Sequence, residues 1–187
     1  MYWNEKASIV LTSPPNTPPA QARRFAMIQI AVHDALNSIK PKYQRLALLN
    51  ERQQFASPDA AVASAAYWTI KKMNLQGANP LDQWYAESLS TIPDGQSKED
   101  GKILGEQSAD AIIANRSTDN FAQANLQIAL PDGITPGAYR STLPFSLPTM
   151  PKIKALHQWG TLMRPFVTES NSQFRPSAPN AVSSAEY

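Results

Sequence analysis

From Phe25 to Ile39 the apolar positions are so dense that they cover almost the whole circumference of a helix. Phe25, Ala26, Met27, Ile28, Ile30, Ala31, Val32, Ala35, Leu36 and Ile39 leave water no face of its own. A helix of that kind belongs at the centre of a helical bundle. Pro18 and Pro19 suit its first turn, where φ is already right and the missing N–H has no partner to lose. Pro41 ends it, because a residue that precedes proline avoids the α region. The pattern therefore predicts a helix over 18–39.

Helical signals continue on either side. A short helix is predicted from Trp3 to Leu11, stopped by Ser13-Pro14-Pro15. Ser57-Pro58-Asp59 is a strong start signal: a serine cap, proline at the first position and an acid in the first turn. The helix it opens runs to about Met73 and carries Ala60, Ala61, Ala63, Ala65 and Ala66. Such small side chains predict a close approach to a neighbour, here expected to be the central helix. Asn79-Pro80 opens a fourth helix to about Thr91, with Leu81, Trp84, Tyr85 and Leu89 at helical spacing. Ile92-Pro93-Asp94-Gly95 reads as a turn. Ser97 is then expected to cap a fifth helix, with Asp100 in the place of a capping box and Ile103, Leu104, Ile112 and Ile113 as its buried stripe. The fold class this predicts is all-α: a bundle of about five helices over 1–116.

Beyond Arg116 the character changes. Half of the chain's 16 prolines lie from Pro131 onward, and the only helix longer than two turns expected there is Lys152 to Leu162. Yet Tyr139, Phe145, Trp159, Phe166 and Phe174 recur through this stretch, and flexible linkers lack such a series of large apolar groups. Residues 117–187 are therefore expected to form an extended, proline-rich strap, packed on the bundle as part of one structural unit. Its aromatics would act as anchors. Together with Arg164 they are the candidate partner contacts, since an apolar patch left uncovered is an interface. A second chain or a homo-oligomer is the expected occupant.

Composition supports a folded domain. Of the 187 residues, 42% are hydrophobic and 17% charged, and 17 basic residues nearly balance 15 acidic ones for a net charge of +2. That balance gives no footing for nucleic acid. The basic pairs Arg23-Arg24 and Lys71-Lys72 read as solvated helix faces without interleaved aromatics. Zero cysteines exclude disulfides, thiolate catalysis and cysteine-ligated zinc. No apolar run reaches the roughly 18 residues of a membrane span, so no transmembrane segment is expected. No export leader precedes Trp3, and the residues leave the compartment open.

Reactive chemistry is scarce. His33 beside Asp34 has the look of a general-base pair, but a lone histidine on an apolar helix reads as a core residue bonded to a neighbour. His157 near Trp159 and Arg164 reads as a packing or surface residue of the strap. Asp94, Glu99 and Asp100 match neither a calcium loop nor a zinc pattern and read as turn and first-turn acids. The seven glycines are scattered, with no phosphate-binding loop among them. No catalytic, cofactor-binding or metal-binding residue is assigned.

One resemblance gives these pieces a frame. Trp3-Asn4-Glu5, the Pro-Pro pair, the stretch Ala31-Val32-His33-Asp34-Ala35-Leu36-Asn37 and Tyr43 resemble the front part of bacterial vanadium-dependent haloperoxidase-like proteins. These share a superfamily with the type 2 phosphatidic acid phosphatases. The likeness continues through Ser57-Pro58-Asp59-Ala60-Ala61-Val62, Ile92-Pro93-Asp94-Gly95, Gly101…Leu104-Gly105, Gln158-Trp159-Gly160…Arg164-Pro165-Phe166, Gln173-Phe174-Arg175-Pro176 and Ser184-Ala185-Glu186-Tyr187. It thus runs the length of the chain but covers only the front half of a typical member.

The family's oxyanion site needs several fixed cations, N–H donors and one imidazole. It carries them in a Lys-x6-Arg-Pro motif, a Ser-Gly-His motif and a later Arg followed by His. Here neither histidine follows a glycine. Seven residues before Arg164 stands His157, and before Arg175 stands Thr168, where lysine is required. No site residue carries over, and vanadate is implied for the parent family only.

The resemblance implies an N-terminal helical scaffold half, inactive alone and completed by a C-terminal catalytic half. It also implies export to the periplasm or beyond. The alternative that the residues leave open is a stand-alone, non-enzymatic module that binds a protein partner or a small molecule.

Overall fold

The computed structural model describes residues 2–12, 17–49, 52–155 and 158–186; the expected Ser13-Pro14-Pro15 stop and His157 lie outside them. The described residues are predominantly helical. In chain order they form α1 (Tyr2–Thr12), α2 (Pro18–Ile39), α3 (Pro58–Lys72), α4 (Leu81–Ser90), α5 (Gln96–Arg116), α6 (Phe121–Ala124), β1 (Ile128–Ala129), β2 (Lys154–Ala155) and α7 (Trp159–Leu162). They fall into two compact units, Met1–Thr118 and Asp119–Tyr187.

The first unit is an all-α bundle of α1 to α5. No residue of α2 from Arg23 to Ile39 is fully exposed, and Met27, Ile28, Ala31 and Ala35 are at most 2% accessible. That is the burial demanded by a helix apolar all round. α3 starts where its signals place it, with the Ser57 hydroxyl accepting the Ala60 N–H at 3.3 Å.

The close approach made possible by the α3 alanines is directed mainly at α5. Gly101 and Gly105, one turn apart, lay bare backbone against α3. A Cβ on Gly101 would stand 2.6 Å from the Ser57 carbonyl oxygen; one on Gly105 would stand 2.5 Å from both the Ala61 carbonyl oxygen and the Ser64 Cβ. Contact at that range is open only to glycine. Ser64 donates to the Lys102 carbonyl at 2.6 Å, and Ser108 ties α5 to the Ala31 carbonyl of α2 at 2.7 Å.

Two expectations for α5 change as a result. Its buried residues are Gly101, Leu104, Gly105, Ser108, Ala109, Ile112 and Arg116, whereas Ile103 is 55% exposed and Ile113 is half-buried. Small residues win the interface because they let two helices touch. The helix also starts at Gln96 after Gly95, whose φ of 146° is glycine's own. Ser97 lies inside the helix and caps nothing; its carbonyl instead accepts the Ser57 N–H at 2.8 Å.

α1 and α4 close the other end of α3 with aromatics. Tyr67 and Tyr85 stack at 4.0 Å, Trp3 meets Tyr85 edge-on at 6.5 Å, and the Trp3 indole N–H reaches the Ser88 hydroxyl at 3.2 Å.

Lys72 is exposed and the Lys71 side chain is 38% exposed, so that pair lies on a solvated face as expected, whereas Arg23 and Arg24 are half-buried. The Arg23 guanidinium donates to the Arg116 carbonyl at 3.2 Å. Lys71 pairs with Asp82 at 2.9 Å, and Lys72 reaches Glu106 and Asp110 on α5.

The second unit holds only short pieces. β1 and β2 pair antiparallel, Ile128 opposite Ala155, and from Asn125 onward no described residue is fully buried. The helix expected over 152–162 is cut down to Trp159–Leu162. Lys154 and Ala155 are committed to the ribbon with β1, which removes them from any helix.

Candidate functional site

The His33-Asp34 pair sits on a polar stripe of α2, and the structure shows what that stripe does. Asp34 is fully buried. Its carboxylate accepts the backbone N–H of Leu46 at 3.0 Å, of Ala47 at 2.6 Å and of Leu48 at 3.0 Å. One turn on, the Asn37 side-chain oxygen accepts the N–H groups of Lys42 and Tyr43 at 3.0 and 2.8 Å. Its amide donates to the His33 carbonyl at 2.8 Å. Arg45 reaches the Ser38 hydroxyl at 2.8 Å. A buried charge is tolerated only when it is saturated with donors, and here the chain after α2 supplies them. The stripe is a staple for the segment 42–48.

His33 is bonded to its neighbour, as expected, with Nδ1 2.9 Å from the Asp34 carboxylate. It is not a core residue, however: its side chain is 38% exposed, and its ring stacks on Tyr43 at 6.3 Å. The pair resembles the base half of a catalytic triad, but the Asp34 oxygens are engaged by three amides whose job is to hold a loop.

A cleft of about 440 Å³ opens between α1, α2, α3 and the end of α4. Its floor is apolar, built from Trp3, Ile28, Val32, Leu36, Val62 and Ala66, with Ile92 beside them. Its polar groups are Tyr2, Asn4, Gln29, Asp59, Ser88 and Thr91. Gln29 donates to the Asn4 side-chain oxygen at 2.8 Å, bridging α2 to α1. No local sequence signal marks this cleft, because its walls come from four separate helices.

The candidate contacts in the second unit are distributed along it. Tyr139 is 41% exposed and Phe174 80%; Phe145, Trp159 and Phe166 are half-buried, and Arg164 is exposed. The ring partner of Trp159 is Phe121, edge-on at 5.8 Å, a residue that the sequence reading passed over. The Trp159 indole N–H is buried without a hydrogen-bond partner among the described residues. The Arg164 N–H donates to the Asp119 carbonyl at 3.0 Å, and the Tyr139 carbonyl accepts the Gly133 N–H at 2.8 Å.

Two charge clusters have shifted titration. Burial pushes the Tyr67 hydroxyl up, and its bond to Asp82 at 2.6 Å adds to this. In the second unit, Lys152 and both Ser141 donors hold the Asp132 carboxyl down at about 2. Arg140 closes the same loop by donating to the carbonyls of Gly133 and Ile134 at 3.1 and 2.8 Å. Among the described residues no group of three or more histidines and carboxylates could hold a metal ion. Nor is any described helix long and apolar enough to cross a membrane.

No protein-family model, no curated protein and no solved structure matches this chain.

Proposed function

We propose that this chain is the N-terminal helical scaffold half of a vanadium haloperoxidase- or acid phosphatase-like protein. In this reading it is inactive alone, and a C-terminal half bears the vanadate or phosphate site. The observation that carries the reading is the use made of the His33-Asp34-Ala35-Leu36-Asn37 stretch. It is the part of the resemblance that looks most like chemistry, yet its polar groups hold the 42–48 segment in place. A scaffold half needs such a device and no reactive centre. The exposed apolar side chains of the second unit, Ile134, Val167 and Phe174 at 80 to 90%, agree with a surface awaiting cover.

Vanadium NMR of a vanadate solution tests the reading. The isolated chain is expected to leave the free-vanadate line unchanged, whereas protein purified from its native source should broaden or shift it. A bound-vanadate signal from the isolated chain would overturn the assignment of the oxyanion site to another half.

A stand-alone, non-enzymatic interaction or small-molecule-binding module is the second reading, and the cleft between α1, α2 and α3 is what favours it.

A further inference from the structure

The cleft of the first unit has a polarity of its own. α2 and α3 run antiparallel along it, since Ile28 of α2 shares one apolar cluster with Trp3, Ala66 and Ile70 near the end of α3. Asp59, an exposed residue in the first turn of α3, therefore stands at the opposite end. From Asp59 to Ala66 the helix rises about 10 Å, so the cleft is an elongated trough with a carboxylate at one end. Between the ends lie Val32, Val62 and Ile92.

Asp59 is the only Asp, Glu, Lys, Arg or His among the lining residues. It has no hydrogen-bond or ion-pair partner among the described residues. The other acidic groups of the bundle differ in this respect: Asp34 is saturated by amides, Asp82 is held by Lys71 and Tyr67, and Asp94 by Lys98. The neighbouring cations are already engaged: Lys6 lies over the Tyr2 ring at 4.9 Å and is paired with Glu5, and Lys98 donates to the Ile92 carbonyl at 3.0 Å and pairs with Asp94. An apolar trough with one unmatched carboxylate selects against anions and for an elongated apolar body bearing one positive charge.

We propose that this cleft binds an amphiphilic organic monocation, its ammonium group on the Asp59 carboxylate and its apolar body along Val32, Val62 and Ile92 toward Trp3. Gln29 and Asn4 bridge the far end and set the length the trough accepts. The proposal does not depend on the scaffold reading, because residues 2–92 build the whole cleft.

Calorimetric titration of the full chain with three probes of equal length tests it: decylammonium, decanol and decanoate, each below its micellar concentration. Decylammonium is expected to bind about tenfold or more tightly than decanoate, the range of one charge-assisted contact. Asp59→Asn, checked for native helicity, should remove that preference while leaving decanol binding unchanged. Thr91→Trp, an exposed position at the trough's edge, should block all three. Equal binding of decanoate, an undiminished ammonium preference in folded Asp59→Asn, or no binding of any probe would each overturn the proposal. If no probe binds and the native mass is that of a dimer broken by Thr91→Trp, the trough belongs to a second copy of the chain.

Discussion

The Asp34 carboxylate stands 2.6 Å from the Ala47 amide nitrogen, joining the middle of the central helix to a loop that follows it. The Leu46 and Leu48 amides complete the ring of donors, and Asp34 is wholly buried. Asp34→Ala would leave several backbone donors without an acceptor, each costing about 1 to 3 kcal/mol. The expected loss is about 3 kcal/mol or more in urea unfolding. His33→Ala, at a half-exposed position, should cost less than about 1 kcal/mol. Equal effects at the two positions would mean that the histidine shares the role of the aspartate.

Gly105→Ala should destabilise despite alanine's better helix propensity. That propensity favours alanine by about 1 kcal/mol, but the new Cβ would meet the Ala61 carbonyl and the Ser64 Cβ at 2.5 Å. Neither atom is at the end of a flexible side chain, so α3 and α5 must separate. A net loss of about 2 kcal/mol is expected, read by thermal or urea melting. Gly160→Ala, with nothing within 4 Å, is the control and should stay within about 0.5 kcal/mol of the parent.

The Asp132 loop should be acid-labile over a narrow window. Lys152 and Ser141 hold its folded pKa at about 2, below the unfolded value near 3.9. A depressed carboxyl stabilises the fold above the unfolded value and loses that contribution as pH falls through the folded one. Amide exchange at Ser141, whose N–H donates to Asp132 at 2.6 Å, should therefore accelerate between about pH 4 and pH 2. Lys152→Met should move the onset to higher pH. An onset unmoved by that change would remove Lys152 as the cause.

The exposed apolar groups of the second unit should be adhesive. Ile134 is 90% and Val167 85% exposed, with Phe174 at 80%. The isolated chain should bind a hydrophobic dye or self-associate, and Phe174→Ser should reduce the effect. A strictly monomeric, dye-silent protein would count against a missing cover for this surface.

The helices were legible because their punctuation is local. Ser57-Pro58 and Pro18-Pro19 act on the first turn they open, so α2 and α3 begin as their residues predict. The α3–α5 interface was not legible from hydrophobicity. Ile103 is the greasier residue, yet Gly101 and Gly105 take the buried face, because the quantity selected there is backbone approach. Lys154 and Ala155 fell to the ribbon for a similar reason: their partners Ala129 and Ile128 in β1 lie far upstream in the chain and leave no trace in a local window. At the candidate site, His33 and Asp34 were visible as residue types. The three amides that decide their role come from a loop with no periodic signal. The cleft was invisible because Asp59, Gln29 and Trp3 meet only once three helices are packed.

The most direct test of the scaffold reading is the polypeptide composition and intact mass of the protein purified from its native source. The account predicts that these residues occur together with a further polypeptide stretch carrying a Ser-Gly-His motif, in the same chain or in a companion that co-purifies. A lone chain of 20.5 kDa with no such companion would contradict it and leave the Asp59 trough as the main route to function.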